Sequence, residues 1–300
     1  MTLRNCVFSG FLLLAATSCS NENEQTVINE NETAPVTVHV DDFSISMEEI
    51  PSGGRITRAA EDPSAYIGTM VLAFYDVNGT EVYKSTQIKG ETDTYTTFGT
   101  FSCDLPIGNY TMVVVGCNRG KDDQFSLLNA TEAEFTSERP RETFSATQQV
   151  QVTSAGANIE ATLSRIVPKF AVKSTDLVSA GVSRMKISFS KGSKRFNPTS
   201  GFALDDEGFW QTVSAAPAPS SDGKLFIISF PFITADEEKM DITIDALDAD
   251  GHALFTKLVK DVPLKRNRQT TLSGKIFTAG TSGASFKIET EWLPEYEMTF

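Results

Sequence analysis

Apolar residues in this chain recur with a period of two, in short runs separated by turn-forming residues, and a helical period is almost absent. Val36, Val38 and Val40 alternate with Thr37, His39 and Asp41, and the pattern resumes one residue out of phase at Phe43, Ile45 and Met47. Such a pattern predicts a strand with a bulge near Asp41-Asp42. Met70 to Asp76 and Thr80 to Lys84 flank Asn78-Gly79, the pair that most readily takes the positive φ angles of a tight hairpin. Leu105-Pro106-Ile107-Gly108-Asn109-Tyr110 leads into Met112 to Val115, a run short enough for a buried strand. Val150, Val152, Ile159, Ala161 and Leu163 return to alternation, and Met185 to Phe189, Leu225 to Phe230, Asp241 to Leu247 and Ala253 to Phe255 continue it. One short helix is expected from Thr131 to Phe135, where Thr131 and Glu134 stand at capping-box spacing. The fold predicted is all-β: two antiparallel β-sandwich domains in tandem, transthyretin- or immunoglobulin-like, with at most short helices.

Length agrees with two domains, since 300 residues suit two of ordinary size better than one. The expected division is a signal peptide at 1–18, a polar tether at 19–35, an N-terminal sandwich at 36–165 and a C-terminal sandwich at 166–300. The segment 285–300 forms a distinctive tail. In it Phe286, Ile288, Thr290 and Trp292 lie on one face of an extended run. After Leu293-Pro294 the alternation restarts as Tyr296, Met298 and Phe300. Large apolar groups on a terminus require a cover. A final strand within its own domain and a strand donated to another molecule both meet that need.

The beginning of the chain carries one basic residue, Arg4, an apolar run Phe11 to Ala16, and small residues ending at Cys19. The run is far short of the roughly 20 residues a spanning helix needs, so it reads as a secretory signal. Ala16-Thr17-Ser18 before a cysteine resembles the bacterial lipobox, which implies cleavage there and diacylation of Cys19, anchoring the protein to a membrane through its acyl chains. The acidic, polar stretch from Ser20 to Glu32 is expected to be a solvated tether and resembles the surface-export signal of Bacteroidetes lipoproteins. The expected location is the outer face of the cell outer membrane.

Charge and cysteine usage narrow the partners. The formal charge of −13, or −14 once Arg4 leaves with the signal, disfavours nucleic acid and anionic lipid as ligands. Only Cys103 and Cys117 remain in the folded part, on either side of the Pro106-Ile107-Gly108 turn. A hairpin about that turn would put the two sulfurs several residues out of register and beyond disulfide reach, although export permits a bridge.

The chain carries no catalytic constellation that its sequence singles out. His39 and His252 stand apart in sequence, and no cysteine or histidine cluster has metal-ligand spacing. Gly-x-Ser-x-Gly, a phosphate loop and the zinc-protease helix motif are absent. Asp248-Ala249-Asp250-Gly251 lacks the third carboxylate and downstream Glu of a calcium loop and reads as a hairpin turn. Scattered carboxylates can always meet in space as a glycosidase pair, but no feature singles one out. A non-enzymatic protein without cofactor or metal is therefore expected.

The order of these features resembles the fimbrillin-like lipoproteins of Bacteroidetes, which supply subunits and anchors of the type V pilus. The likeness rests on the lipobox at Cys19, the polar tether, the first strand, the Thr57-Arg58-Ala59 loop, the Gly-x-Tyr segment from Leu105 to Val115, and Leu163-Ser164-Arg165-Ile166-Val167. It implies proteolytic maturation after Arg58, leaving Ala59 first, with Arg55 and Ile56 as second choice. A cut there detaches the Val36 to Met47 strand, and another subunit's segment can then add in its place. Phe286, Ile288, Trp292, Tyr296, Met298 and Phe300 are the candidate donor residues. Implied partners are other pilus subunits, the outer membrane through Cys19, and a host or bacterial surface receptor. Stalk, tip and anchor roles stay open. A reading of a different class is a monomeric glycan-binding lipoprotein beside a nutrient transporter, with Trp210, Trp292 and Tyr95 as sugar platforms or, more conservatively, as core residues.

Overall fold

The computed structural model describes residues 32–44, 67–91, 95–118, 125–137, 139–217, 221–278 and 287–292, the backbone alone at 41–44 and 289–292. Among the described residues there is no helix, and strands carry the whole architecture. The all-β expectation holds.

Seven strands of the N-terminal part are β1 (Thr33–Ser44), β2 (Thr69–Tyr75), β3 (Glu81–Ile88), β4 (Thr100–Pro106), β5 (Gly108–Cys117), β8 (Thr143–Val152) and β9 (Ala157–Arg165), hydrogen-bonded in the order β3-β2-β5-β8-β9-β1-β4. Between β8 and β9 the ladder is formed only at Phe144–Arg165 and Ser145–Ser164, with one bridge at Thr153–Gly156 in the turn. The hairpin is therefore open along its middle, and the sheet folds over into two layers, β3-β2-β5-β8 and β9-β1-β4. Ala34, Val36, Val38, Leu72, Phe74, Phe101, Leu105, Met112, Val114 and Leu163 fill the space between them. On the opposite margin the Gln87 side chain joins the layers. Its Nε2 donates to the Thr100 carbonyl at 2.7 Å and its Oε1 accepts from Gly99 N at 2.7 Å.

β4 and β5 do not pair, contrary to the hairpin considered for Pro106-Ile107-Gly108. β4 pairs with β1, and β5 lies between β2 and β8. The segment carries the chain from one layer to the other, and Tyr110 Oη donates to the Pro106 carbonyl at 2.7 Å, pinning the crossing as a tyrosine corner does. No disulfide joins Cys103 to Cys117.

β2 and β5 are buried on both faces. Met70, Leu72 and Phe74 face the sandwich core, whereas Val71, Ala73 and Tyr75 belong to a second cluster outside it. This double burial explains why these segments are continuous apolar runs instead of alternating ones. The outer cover comes from β6 (Phe125–Asn129) and β7 (Glu132–Phe135), a hairpin where a short helix was expected. The Asn129 carboxamide accepts the Thr131 N–H at 2.9 Å to close the turn, and Ala133 and Phe135 then alternate inward. Four residues make only one helical turn, and pairing with β12 (Arg195–Phe196) satisfies their backbone better.

The C-terminal part stacks β14 (Phe226–Ser229), β10 (Lys169–Ser174), β17 (Arg268–Gly274) and β18 (Lys287–Trp292) on β13 (Phe209–Ser214), β11 (Arg184–Phe189), β15 (Glu237–Leu247) and β16 (Ala253–Lys265), with its own core between the sheets. Two pairs depart from antiparallel order: β1 runs parallel to β9 and β10 parallel to β17. In each case the connection is the long passage through the intervening strands. Phe196 and Phe232 stack at 4.1 Å within the cluster that also holds Phe135, Ile166 and Val167, so residues from both parts share one apolar seam.

Both loops expected to turn hairpins do so, by one shared device. Asp76 Oδ1 accepts the backbone N–H of Asn78 and Thr80 at 2.8 Å each, and only Gly79 of the Asn78-Gly79 pair takes a positive φ. Asp248 Oδ1 repeats this with Asp250 at 3.0 Å and His252 at 2.8 Å, followed by Gly251 at φ 92°. These donors, first Thr80 for Asp76 and His252 for Asp248, hold both carboxyl groups below their ordinary range.

Candidate strand-exchange site

β1 is the centre of its layer. It pairs antiparallel with β4 from Thr33–Pro106 to His39–Thr100, and parallel with β9 from Val36–Ala157 onward. The expected bulge is present as a register shift between His39 and Asp42. Val36, Val38 and Val40 are at most 2% exposed. Among the described residues β4 is an edge strand paired only with β1, and β9 is bonded elsewhere only near Ser164 and Arg165, so β1 provides most of the hydrogen bonding in this layer.

Two glycines lie so near the β1 backbone that a side chain at either would crowd it. A Cβ at Gly156 would stand 2.3 Å from the Pro35 carbonyl oxygen, and one at Gly99 would stand 3.1 Å from that of Val40. Both have positive φ, 84° and 91°, which side-chain-bearing residues rarely adopt. Periodicity identified β1 but not these glycines, which look in the sequence like ordinary turn residues.

At the other end of the chain, Ile288 and the backbone of Trp292 lie in β18, which pairs with β17 of the same molecule from Arg268–Trp292 to Ser273–Lys287. β18 is an edge strand and Ile288 is 39% exposed. Cys19, the Arg55 to Ala59 loop, Phe286, Tyr296, Met298 and Phe300 lie outside the described residues, as does the Trp292 side chain.

Of the candidate sugar platforms, Trp210 is on the edge strand β13, 43% exposed, with Lys186 Nζ 5.0 Å from its ring centroid, and so it is not the core residue considered as the alternative. Tyr95 packs edge-on against Phe98 at 5.4 Å and its hydroxyl accepts the Gly90 N–H at 3.0 Å. The two lie on different parts of the chain. Asp248, Asp250 and His252 bring three potential ligand atoms within 4.8 Å, but Asp248 Oδ1 already accepts the two turn N–H groups.

The Leu163 to Val167 segment lies at the meeting of the two parts. Arg165 Nε is 2.8 Å from Glu142 Oε1, with both side chains 2% exposed, and its Nη1 donates to Asn267 Oδ1 at 2.8 Å. Burial of nearby Lys169 pushes its pKa down, opposed by Glu142.

No curated protein matches the chain. Among solved structures, a candidate adhesin from Bacteroides ovatus superimposes with a TM-score of 0.50 at 10% identity, over 88% of this chain and 97% of that one. The fimbrial anchor protein Mfa2 of Porphyromonas gingivalis gives 0.47 at 12% identity over 85% and 96%. The tip fimbrial protein Mfa3 of the same organism gives 0.40 at 11% over 87% and 99%. At such identities the likeness concerns the fold. Over residues 33–298, from the first residue of β1 to the tail, the chain matches and belongs to a protein family of unknown function, DUF6562.

Proposed function

We propose that this protein is a surface lipoprotein of the cell outer membrane that serves as a structural and adhesive subunit of a type V pilus. Cys19 carries the lipid. Cleavage after Arg58, or after Arg55, matures the subunit and places it in the pilus. The observation that carries this reading is the position of β1, whose connection to β2 runs through residues 45–68 and includes both arginines. A cut in that segment leaves β1 held only by hydrogen bonds and its buried valines. Its departure opens a groove lined by two unpaired strand edges, β9 and β4, into which an extended segment adds as a strand. The tail 285–300, partly present as the edge strand β18, is the segment available for donation to a neighbour. Residues 36–165 and 166–300 act as the two domains of the subunit. The adhesin description of the Bacteroides ovatus protein agrees with a role at the cell surface.

Intact mass and N-terminal sequence of the protein recovered from its native cell surface test this reading. A product beginning at Ala59 or Ile56 without lipid supports the polymerising subunit. A product beginning at acylated Cys19 overturns maturation and leaves an uncleaved lipoprotein.

The second reading, a monomeric glycan-binding lipoprotein beside a transporter, is favoured by the exposure of Trp210. Saturable binding of a sugar that collapses in Trp210→Ala supports it, and failure across a broad glycan array removes it.

A further inference from the structure

We propose that the β1 groove is built for a strand with valine-sized residues at alternate positions, supplied by a chain other than this one, so that the protein joins unlike neighbours and does not polymerise with copies of itself. This inference rests on the strand-exchange reading above and names the partner of that site.

The direction of the incoming strand follows from the ladders. It runs parallel to β9 and antiparallel to β4, with its inward residues at the positions of Val36, Val38 and Val40. Its side-chain size follows from the packing. Ala34, Val36, Val38 and Val40 are buried in the same cluster as Phe101, Leu105, Ile159 and Leu163, which supply the bulk. A larger inward side chain is accommodated only if the strand backbone stands further from the core or the core rearranges. The backbone has little freedom to move, because it is hydrogen-bonded to β4 on one side and β9 on the other, with Gly156 and Gly99 packed so near the Pro35 and Val40 carbonyls that a Cβ at either would crowd them. The core is already closed, and close-packed cores accept added atoms poorly.

The chain's own tail has the right period and the wrong size. Tyr296, Met298 and Phe300 repeat the spacing of Val36, Val38 and Val40 but carry roughly twice as many side-chain heavy atoms, an excess that a full core admits only with strain. The alternative set, Ile288, Thr290 and Trp292, ends in a tryptophan. Tail and groove are thus mismatched within one sequence, and each is suited to a different neighbour.

The test uses the full chain with a specific protease site inserted between residues 48 and 62, cleaved after folding. Labelled peptides are then offered and exchange is read by fluorescence anisotropy and native mass. One has the sequence of residues 33–44, one that of 285–300, and the third is the latter with Tyr296→Val, Met298→Val and Phe300→Val. The 33–44 peptide is expected to exchange, the native tail to bind at least tenfold more weakly, and the valine tail to recover most of the difference. A native tail that displaces β1 as well as the 33–44 peptide does overturns the inference while leaving strand exchange standing. If even the 33–44 peptide fails to exchange, the strand-exchange reading falls and this inference with it.

Discussion

Arg165 and Glu142 form an ion pair at 2.8 Å with both side chains 2% exposed, where the two parts of the chain meet. Arg165 is held further by Asn267 Oδ1 and lies over the Phe144 ring at 5.1 Å. A buried charge that loses its partner is costly, so Glu142→Gln is expected to destabilise the protein by about 3–5 kcal/mol. The paired replacement Glu142→Leu with Arg165→Met is expected to cost less than either single change. Chemical denaturation of Glu142→Gln, the double variant and its two single changes measures this.

Phe196 and Phe232, stacked at 4.1 Å, tie the second part of the chain to Phe135 of the first. Phe196→Ala is expected to cost about 3–5 kcal/mol, as large core truncations do. Its calorimetric trace should split into two transitions, because the seam is what couples the two cores. A single sharpened transition would contradict that coupling.

Gln87 is 2% exposed and bridges the two layers of the N-terminal sandwich. Gln87→Ala leaves Gly99 N and the Thr100 carbonyl without this partner, at a cost of about 1–3 kcal/mol for each buried group that stays unpaired. Hydrogen exchange at Gly99 should accelerate in the variant while exchange in β15 is unchanged.

The Tyr75 hydroxyl is buried with no hydrogen-bond partner among the described residues, and burial, aided by Glu81, pushes its pKa up to about 12. In the unfolded chain a tyrosine titrates near its ordinary value of about 10, so the unfolded state loses its proton first. Stability is therefore unaffected below pH 10 and falls between pH 10 and 12, by up to about 2–3 kcal/mol from this group. Tyr75→Phe should flatten that alkaline limb and be neutral or mildly stabilising at pH 7. Urea midpoints measured from pH 7 to 11.5 check both.

Period-two alternation, turn residues and doubly apolar runs are local properties of a chain. They sufficed to indicate the all-β class, the β1 bulge, both Asp-x-x-Gly hairpins and the strands β2 and β5. A strand's partner is a different matter, because many strands of similar pattern compete for each edge and pairing is decided by which combination closes two cores at once. Nothing local distinguishes β1 pairing with β9 and β4 from β1 as a hairpin edge, nor reveals that β4 and β5 diverge at Pro106. Glu132 to Phe135 took the strand form because it pairs with Phe125 to Asn129 on one side and with Arg195 and Phe196, from far along the chain, on the other, and that outweighed a local capping signal. The side-chain sizes at Val36, Val38 and Val40 were legible from the start. Only the tertiary structure, by holding the β1 backbone between the β4 and β9 ladders over a closed core, turned those sizes into a constraint on what can replace it.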